Sequence, residues 1–179
     1  RPGHAPGLRD AVKDGRLWEL WFTSIPRPDA MDAYVAAALA GQANGAALPF
    51  VVRDGDGRIV GSTRYYELAP ATPRLLVGYT WYARSVQRTA LNTEAKLLLL
   101  THAFEQLRCA SVGLQTSTHN QVSRAAIARL GAVQEGILRN HLRHQDGSLR
   151  DTVNFSIIDS EWAAVKTRLQ GRLEVSAHG

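Results

Sequence analysis

Cysteine is nearly absent from this sequence: Cys109 stands alone among 179 residues. No internal disulfide and no cysteine-rich zinc site can form, and a reducing compartment fits. Its ordinary reading is a small buried apolar residue. Long apolar runs are also missing; none approaches the roughly 20 residues that cross a bilayer. No basic segment followed by an apolar stretch opens the chain, so nothing points to a membrane or to secretion, and the cytoplasm is the expected setting. The chain opens on Arg1 rather than methionine, so a truncated or processed start is expected, and any strand before it lies outside this reading. Repeats and low-complexity tracts are lacking, and 7 prolines and 15 glycines are too few and too scattered for a fibrous or disordered chain.

Lysine is scarce as well, occurring only at Lys13, Lys96 and Lys166, so arginine supplies almost all of the 21 basic groups that outnumber 16 acids and give a net charge of +5. The arginines are dispersed singly, with no basic block, aromatic ladder or zinc-finger spacing. Nucleic-acid binding is therefore not favoured, and a phosphate-bearing small molecule fits the charge equally well. What is present is 45% hydrophobic residues in a length that suits one domain of ordinary size.

Gly7 to Leu17 reads as a short helix. A second opens at Pro28, with Met31, Tyr34, Val35, Ala38 and Leu39 at the 3.6-residue period. From Pro49 the period becomes that of strands: Phe50-Val51-Val52, a turn at Asp54-Gly55-Asp56-Gly57, then Ile59 to Tyr66, a strong hairpin signal. A third strand runs from Leu75 to Tyr82, followed by a polar loop, Ala83 to Asn92, and the best helix of the chain, Thr93 to Arg108. Leu97, Leu100, Phe104 and Leu107 make its apolar stripe, Leu98, Leu99 and Ala103 widen it, and Lys96, Glu105 and Arg108 are expected to face out. Val112, Leu114 and Thr116 alternate as a strand, which makes a crossover unit with parallel strands. Asn120 starts a helix, with Ala126, Ile127 and Leu130 inward and Gly131 ending it. Strands Val133–Arg143 and Arg150–Ile158 close across Asp146-Gly147, and a last helix begins near Ser160.

The stretch from Tyr79 to Lys96 carries a strand end through a tight polar loop into the start of a buried helix. Free backbone amides and the helix dipole make such a place suited to anions, and Arg84 and Arg88 add charge. The plainer alternative is a helix entry capped by Asn92 or Thr89.

The loop Gln87-Arg88-Thr89-Ala90-Leu91-Asn92 resembles the pyrophosphate loop of the GNAT (Gcn5-related) N-acetyltransferases. Gly78-Tyr79-Thr80-Trp81, Asn92-Thr93-Glu94-Ala95-Lys96, Asn120 with Ser123, Leu130-Gly131-Ala132, Glu135-Gly136 and Asp146 to Asp151 resemble its RimJ/RimL branch. The resemblance implies an α/β (α+β) GNAT fold: a mixed central sheet of six to seven strands with a splayed parallel pair, flanked by helices. It implies one acetyltransferase-like domain over 1–179, with 1–47 as a helical acceptor-side region, 48–162 as the acetyl-CoA-binding core and closing hairpin, and 160–179 as a C-terminal helix and tail.

The implied co-substrate is acetyl-CoA, with no metal. Its pantetheine arm would lie against Trp81, Tyr82 and Ala83, its diphosphate on Gln87, Arg88, Thr89, Ala90, Leu91, Asn92 and Thr93, with Asn120 and Ser123 nearby. Ala90 and Asn92 fill both glycine positions of the loop; Ala90 then requires right-handed backbone, and Asn92 is tolerable as a residue that accepts left-handed or capping conformations. Ile127 stands where many relatives carry an acidic tyrosine, which leaves Ser123 as the candidate acid; helix capping is the alternative for Asn120 and Ser123. The residues matching the family's glutamate bases are Leu142 and Leu76, so the base candidates are His119, His141 and Glu67, each with a plain structural alternative. His141 and His144 are discounted as a metal pair, since on a strand a spacing of three puts the rings on opposite faces.

Trp18, Trp21 and Phe22, with Tyr66, are the expected acceptor wall. The activity implied is acetyl transfer to a primary amine, a protein N-terminus or a small amine, by direct attack in a ternary complex. A non-catalytic acyl-CoA sensor or interaction module on the same fold is the competing expectation. A homodimer is expected from relatives' exposed hairpins.

Overall fold

The computed structural model describes residues 1–177. Six strands form one mixed sheet in the order β1-β2-β3-β4-β6-β5: β1 (Ala47–Arg53), β2 (Ile59–Ala69), β3 (Arg74–Tyr82), β4 (Ser111–Ser117), β5 (Val133–Arg143) and β6 (Leu149–Ile158). Only β3 and β4 run parallel. The helices are α1 (Ala5–Lys13), α2 (Met31–Ala43), α3 (Leu91–Thr101), α4 (Gln121–Leu130) and α5 (Asp159–Ala177). None is long and apolar enough to cross a membrane. This is the mixed α/β fold expected, with six strands and both hairpins close to where the turn residues put them.

Val60 and Tyr65 lie an odd number of positions apart on β2, so they point to opposite faces of the sheet. Each enters a different apolar cluster. Tyr65 joins Leu99, Leu100, Phe104, Ile127, Leu130, Trp162 and Leu169 from α3, α4 and α5 and the segment after α3, with Cys109 buried among them. Val60 joins Leu8, Val12, Met31, Val35 and Trp81 under α1 and α2. The Tyr65 hydroxyl donates to the Leu99 carbonyl at 2.6 Å and so ties the sheet to α3.

The helix after β3 departs from expectation in three respects. It begins at Leu91, and its cap position is Ala90, with φ −63° and ψ −20°, in right-handed backbone. Asn92 therefore lies inside the first turn and caps nothing, and it needs no left-handed conformation. The second difference is the stripe: Lys96 is only 5% exposed while Leu98 is 65% exposed. The inward positions are 96, 99, 100, 103 and 104, still a 3.6-residue period but turned by about one residue. Lys96 can face inward because its Nζ donates to the Thr80 Oγ1 at 3.0 Å. Third, α-helix gives way to a π turn at His102–Gln106, where the Leu107 amide reaches back to the His102 carbonyl. The widened turn carries Leu107 outward, to 46% exposure. Glu105 is not a free surface acid; it accepts from Lys166 Nζ and Trp162 Nε1 of α5.

Candidate active site

β3 and β4 are paired only from Arg74↔Ser111 to Val77↔Leu114. Beyond that point β4 keeps its pairing with β6 as far as Ser117↔Thr152, while β3 runs on through Gly78–Tyr82 beside β2. The two parallel strands therefore separate and leave a cleft. The departure coincides with a bulge in β3: Tyr79 has φ 52°, and the β2 register slips between Ser62 and Arg64. An extra residue in one strand bends it and turns its side chains, which is what opens the pair here.

The loop leaving β3 is held from two sides. Gln87 Nε2 donates to the Tyr82 carbonyl at 3.0 Å, and the Asp14 carboxylate accepts the Ser85 amide at 2.9 Å. Hydrogen bonding from Ser85 holds the Asp14 carboxyl below its usual pKa range. Arg88 takes left-handed backbone, φ 63°, just before the helix. The Thr89 hydroxyl oxygen accepts the Leu91 amide at 3.3 Å, the one side-chain cap at this end. The following amides, of Asn92 and Thr93, begin α3 without intrahelical acceptors. Beside them lies a cavity of about 960 Å³ lined by Arg88, Thr89, Ala90 and Thr93 from this side and by Arg168 and Arg172 from α5. The two α5 arginines are steadied by hydrogen bonds to the Leu130 and Arg129 carbonyls at the end of α4. Amides at a helix start, three guanidinium groups and room for a large ligand fit a coenzyme A diphosphate.

Of the other residues expected in this region, Trp81 and Ala83 are buried against α1 and α2, and the Trp81 Nε1 and Tyr82 hydroxyl are buried without hydrogen-bond partners. On the far side of the cleft Asn120 caps α4, its Oδ1 accepting the Ser123 amide at 3.0 Å. The capping alternative is thus realised for Asn120, whose side-chain NH2 has no hydrogen-bond partner among the described residues. The Ser123 hydroxyl has no hydrogen-bond partner among the described residues.

The acceptor-wall residues separate. Trp18 packs on the α1–α2 cluster. Trp21, 40% exposed, contacts Phe22 edge-on and lies with its ring 5.0 Å from that of His119 and 4.8 Å from that of His144. The Gln145 amide NH2 fastens this loop by donating to the Thr23 carbonyl at 2.8 Å. Tyr66 stands elsewhere, its ring 5.2 Å from that of Tyr79. Of the base candidates, His141 is exposed on the edge strand β5 and Glu67 is exposed at a bulge of β2, φ 49°. His119 sits beside Trp21.

His144 is the functional candidate that sequence reasoning misses. It is buried, its Nε2 lies 3.5 Å from the Ser117 Oγ, and that oxygen also accepts the His119 amide at 3.2 Å. Burial lowers its pKa below 6.5; Arg150 and His119 act in the same direction and Asp146 opposes them. Its signal is weak because a histidine after a strand, near a turn, has no motif around it. Among the described residues no group of three or more His, Cys, Asp or Glu side chains could hold a metal ion.

Residues 1–133 match the profile of the acetyltransferase (GNAT) domain. The Bacillus subtilis (strain 168) protein named "Putative ribosomal N-acetyltransferase YdaF" is 31% identical over 111 residues, 62% of this chain. The match spans 60% of that protein's length. A T. thermophilus protein solved as a "putative acetyltransferase" is 31% identical and has a TM-score of 0.84, with 97% of this chain and 90% of that one covered. Mycobacterium smegmatis RimJ, solved with CoA-disulfide, shares the fold at a TM-score of 0.80 and 23% identity, over 96% of this chain and 86% of that one.

Proposed function

The chain belongs to the GNAT acetyltransferase family, and we propose that it moves the acetyl group of acetyl-CoA to a primary amine, a protein N-terminus or a small amine, by direct attack in a ternary complex. The observation that carries this reading is the presence of two openings joined in sequence by one loop: the cleft where β3 leaves β4 past Val77 and Leu114, and the arginine-lined cavity at the start of α3. One ligand with an extended arm and a diphosphate suits both. In this reading 48–162 hold the cofactor, 1–47 wall the acceptor side, and 160–179 include the arginines that close the cavity. A cytoplasmic setting belongs to the same proposal.

Bound there, acetyl-CoA supplies an acetyl group activated as a thioester. The chain's own residues orient it and manage protons. The amides of Asn92 and Thr93 and the guanidinium of Arg88 would hold the diphosphate, and the side-chain NH2 of Asn120 would serve as a donor at the cleft. An amine attacks only when unprotonated, and at neutral pH most primary amines carry a proton. His144 answers that need. Its depressed pKa keeps the imidazole neutral at pH 7, so its ring nitrogen can take a proton from the substrate ammonium and leave a free amine. The Ser123 hydroxyl, unpartnered, is the donor for the departing sulfur.

Calorimetric titration with acetyl-CoA, followed by a thiol-release screen of amines, tests the reading. Thiol release that depends on the amine supports it. Tight binding without release identifies a sensor instead.

A further inference from the structure

Arg64 of β2 and Arg150 at the start of β6 are half-buried, and the Nε of each is shut off from solvent without a hydrogen-bond partner. Among the described residues neither guanidinium forms an ion pair, whereas Arg9 finds Asp32, and Arg58 finds Asp54 and Asp56. Glu67, the acid closest in sequence to Arg64, is exposed and pairs with neither. The two arginines share a setting. The Arg64 guanidinium carbon stands 4.0 Å from the centre of the Tyr79 ring and 5.1 Å from that of Tyr34 on α2. Arg150 stands near enough to Tyr66 and Tyr79 for their ionisation to bear on its own, and burial pulls its pKa below the ordinary arginine value. Tyr66 and Tyr79 meet edge to face.

A guanidinium partly withdrawn from water, with its Nε unpartnered and no anion beside it, is less favourable than a paired one, and tyrosine faces compensate only in part. An anion from outside would restore the missing partner, and the planar fork of arginine suits carboxylate and phosphate oxygens. The position of the pair says when such an anion arrives. Tyr79 is the bulge residue at which β3 leaves β4, and Arg64 and Tyr34 share the α1–α2 side of the sheet, opposite Lys96 and α3. Arg150 is also close enough to His144 to influence its titration. Arg64 thus lies on the face of the sheet opposite α3, where the acetyltransferase reading puts the acceptor, and not at the diphosphate cavity.

We infer that the acceptor amine bears an anionic group, a carboxylate or a phosphate a few bonds from the reacting nitrogen, which Arg64 and Arg150 hold. This deepens the acetyltransferase reading and rests on it. The substrates in view are amino-acid-like amines, peptides with an acidic residue next to the free N-terminus, and amino-phosphates.

The test uses matched amines at saturating acetyl-CoA: glutamate against its diamide, a peptide beginning Ala-Glu against one beginning Ala-Gln, and phosphoethanolamine against ethanolamine. The anionic member of at least one pair is expected to have the higher kcat/KM by roughly 10- to 100-fold, mostly through KM. Arg64→Gln and Arg150→Gln should each shrink that preference, Arg64→Lys should keep part of it, and acetyl-CoA affinity should be unchanged in all three. Calorimetric titration of the anionic amines onto cofactor-free protein gives a second readout that survives if turnover is absent: weak binding lost in both Gln variants supports the arginine site. Equal treatment of every pair, or a preference untouched by both Gln variants, would overturn it. Failure of acetyl-CoA to bind the wild-type protein would instead strike the acetyltransferase reading.

Discussion

The His144 imidazole stands 3.5 Å from the Ser117 hydroxyl, so the turn between β5 and β6 touches the last residue of β4 at the edge of the cleft. That contact brings a buried imidazole to the end of β4, past the point where β3 leaves it. Because its pKa is lowered by burial, with Arg150 and His119 adding to the effect against Asp146, the neutral form persists below pH 6.5. The acid limb of kcat/KM should therefore fall at a pH under 6.5. His144→Gln should lose that limb and about 100-fold in plateau rate. A pH–rate profile of both proteins checks this; an unchanged limb in the variant would assign it to another group.

Lys96 offers a prediction about stability. Burial lowers its pKa from 10.5 to about 8. Between those values the unfolded chain holds a proton that the folded chain releases, so stability from this group rises with pH across that window. The gain is about 3 kcal/mol. Lys96→Met removes the titration, leaving Thr80 its bond to Thr63 at 2.8 Å. Chemical denaturation at pH 8 and pH 10 should show the wild-type protein gaining on the variant; parallel curves would mean that Lys96 titrates normally.

Asn120 has two separable roles. Its Oδ1 caps α4, so Asn120→Ala should lower stability by about 1 kcal/mol. Asn120→Asp keeps the acceptor and loses the NH2. Denaturation should find the Asp variant near wild-type stability, while titration should find its acetyl-CoA affinity reduced. An Asp variant with full affinity would confine Asn120 to capping.

The strands are legible because alternation and turn residues are local: Asp54 to Gly57 and Asp146-Gly147 sit between runs of period two. Asn120 and Gly131 bound α4 as cap and left-handed stop, φ 102° at the glycine. The orientation of α3 is not legible. Leu97 to Leu100 are apolar on every side of the helix, so the charge of Lys96 reads as the solvent face, and the bond that lets Lys96 turn inward comes from Thr80 on the preceding strand. The π turn has no sequence signal of its own. The residues proposed for the acceptor side are least legible: Arg64, Tyr79, His144 and Arg150 belong to β2, β3, the β5–β6 turn and β6. Only the sheet brings them together, and no spacing along the chain announces it.

Whether the start of α3 and the cleft beside it hold acetyl-CoA is decided by a single titration. Ala90 precedes the free amides in right-handed backbone, so Ala90→Glu can keep the fold while setting a carboxylate against the diphosphate. Calorimetry should show micromolar binding of acetyl-CoA to the wild-type protein and its loss in Ala90→Glu. No binding at millimolar acetyl-CoA, or equal binding to both proteins, would contradict the account.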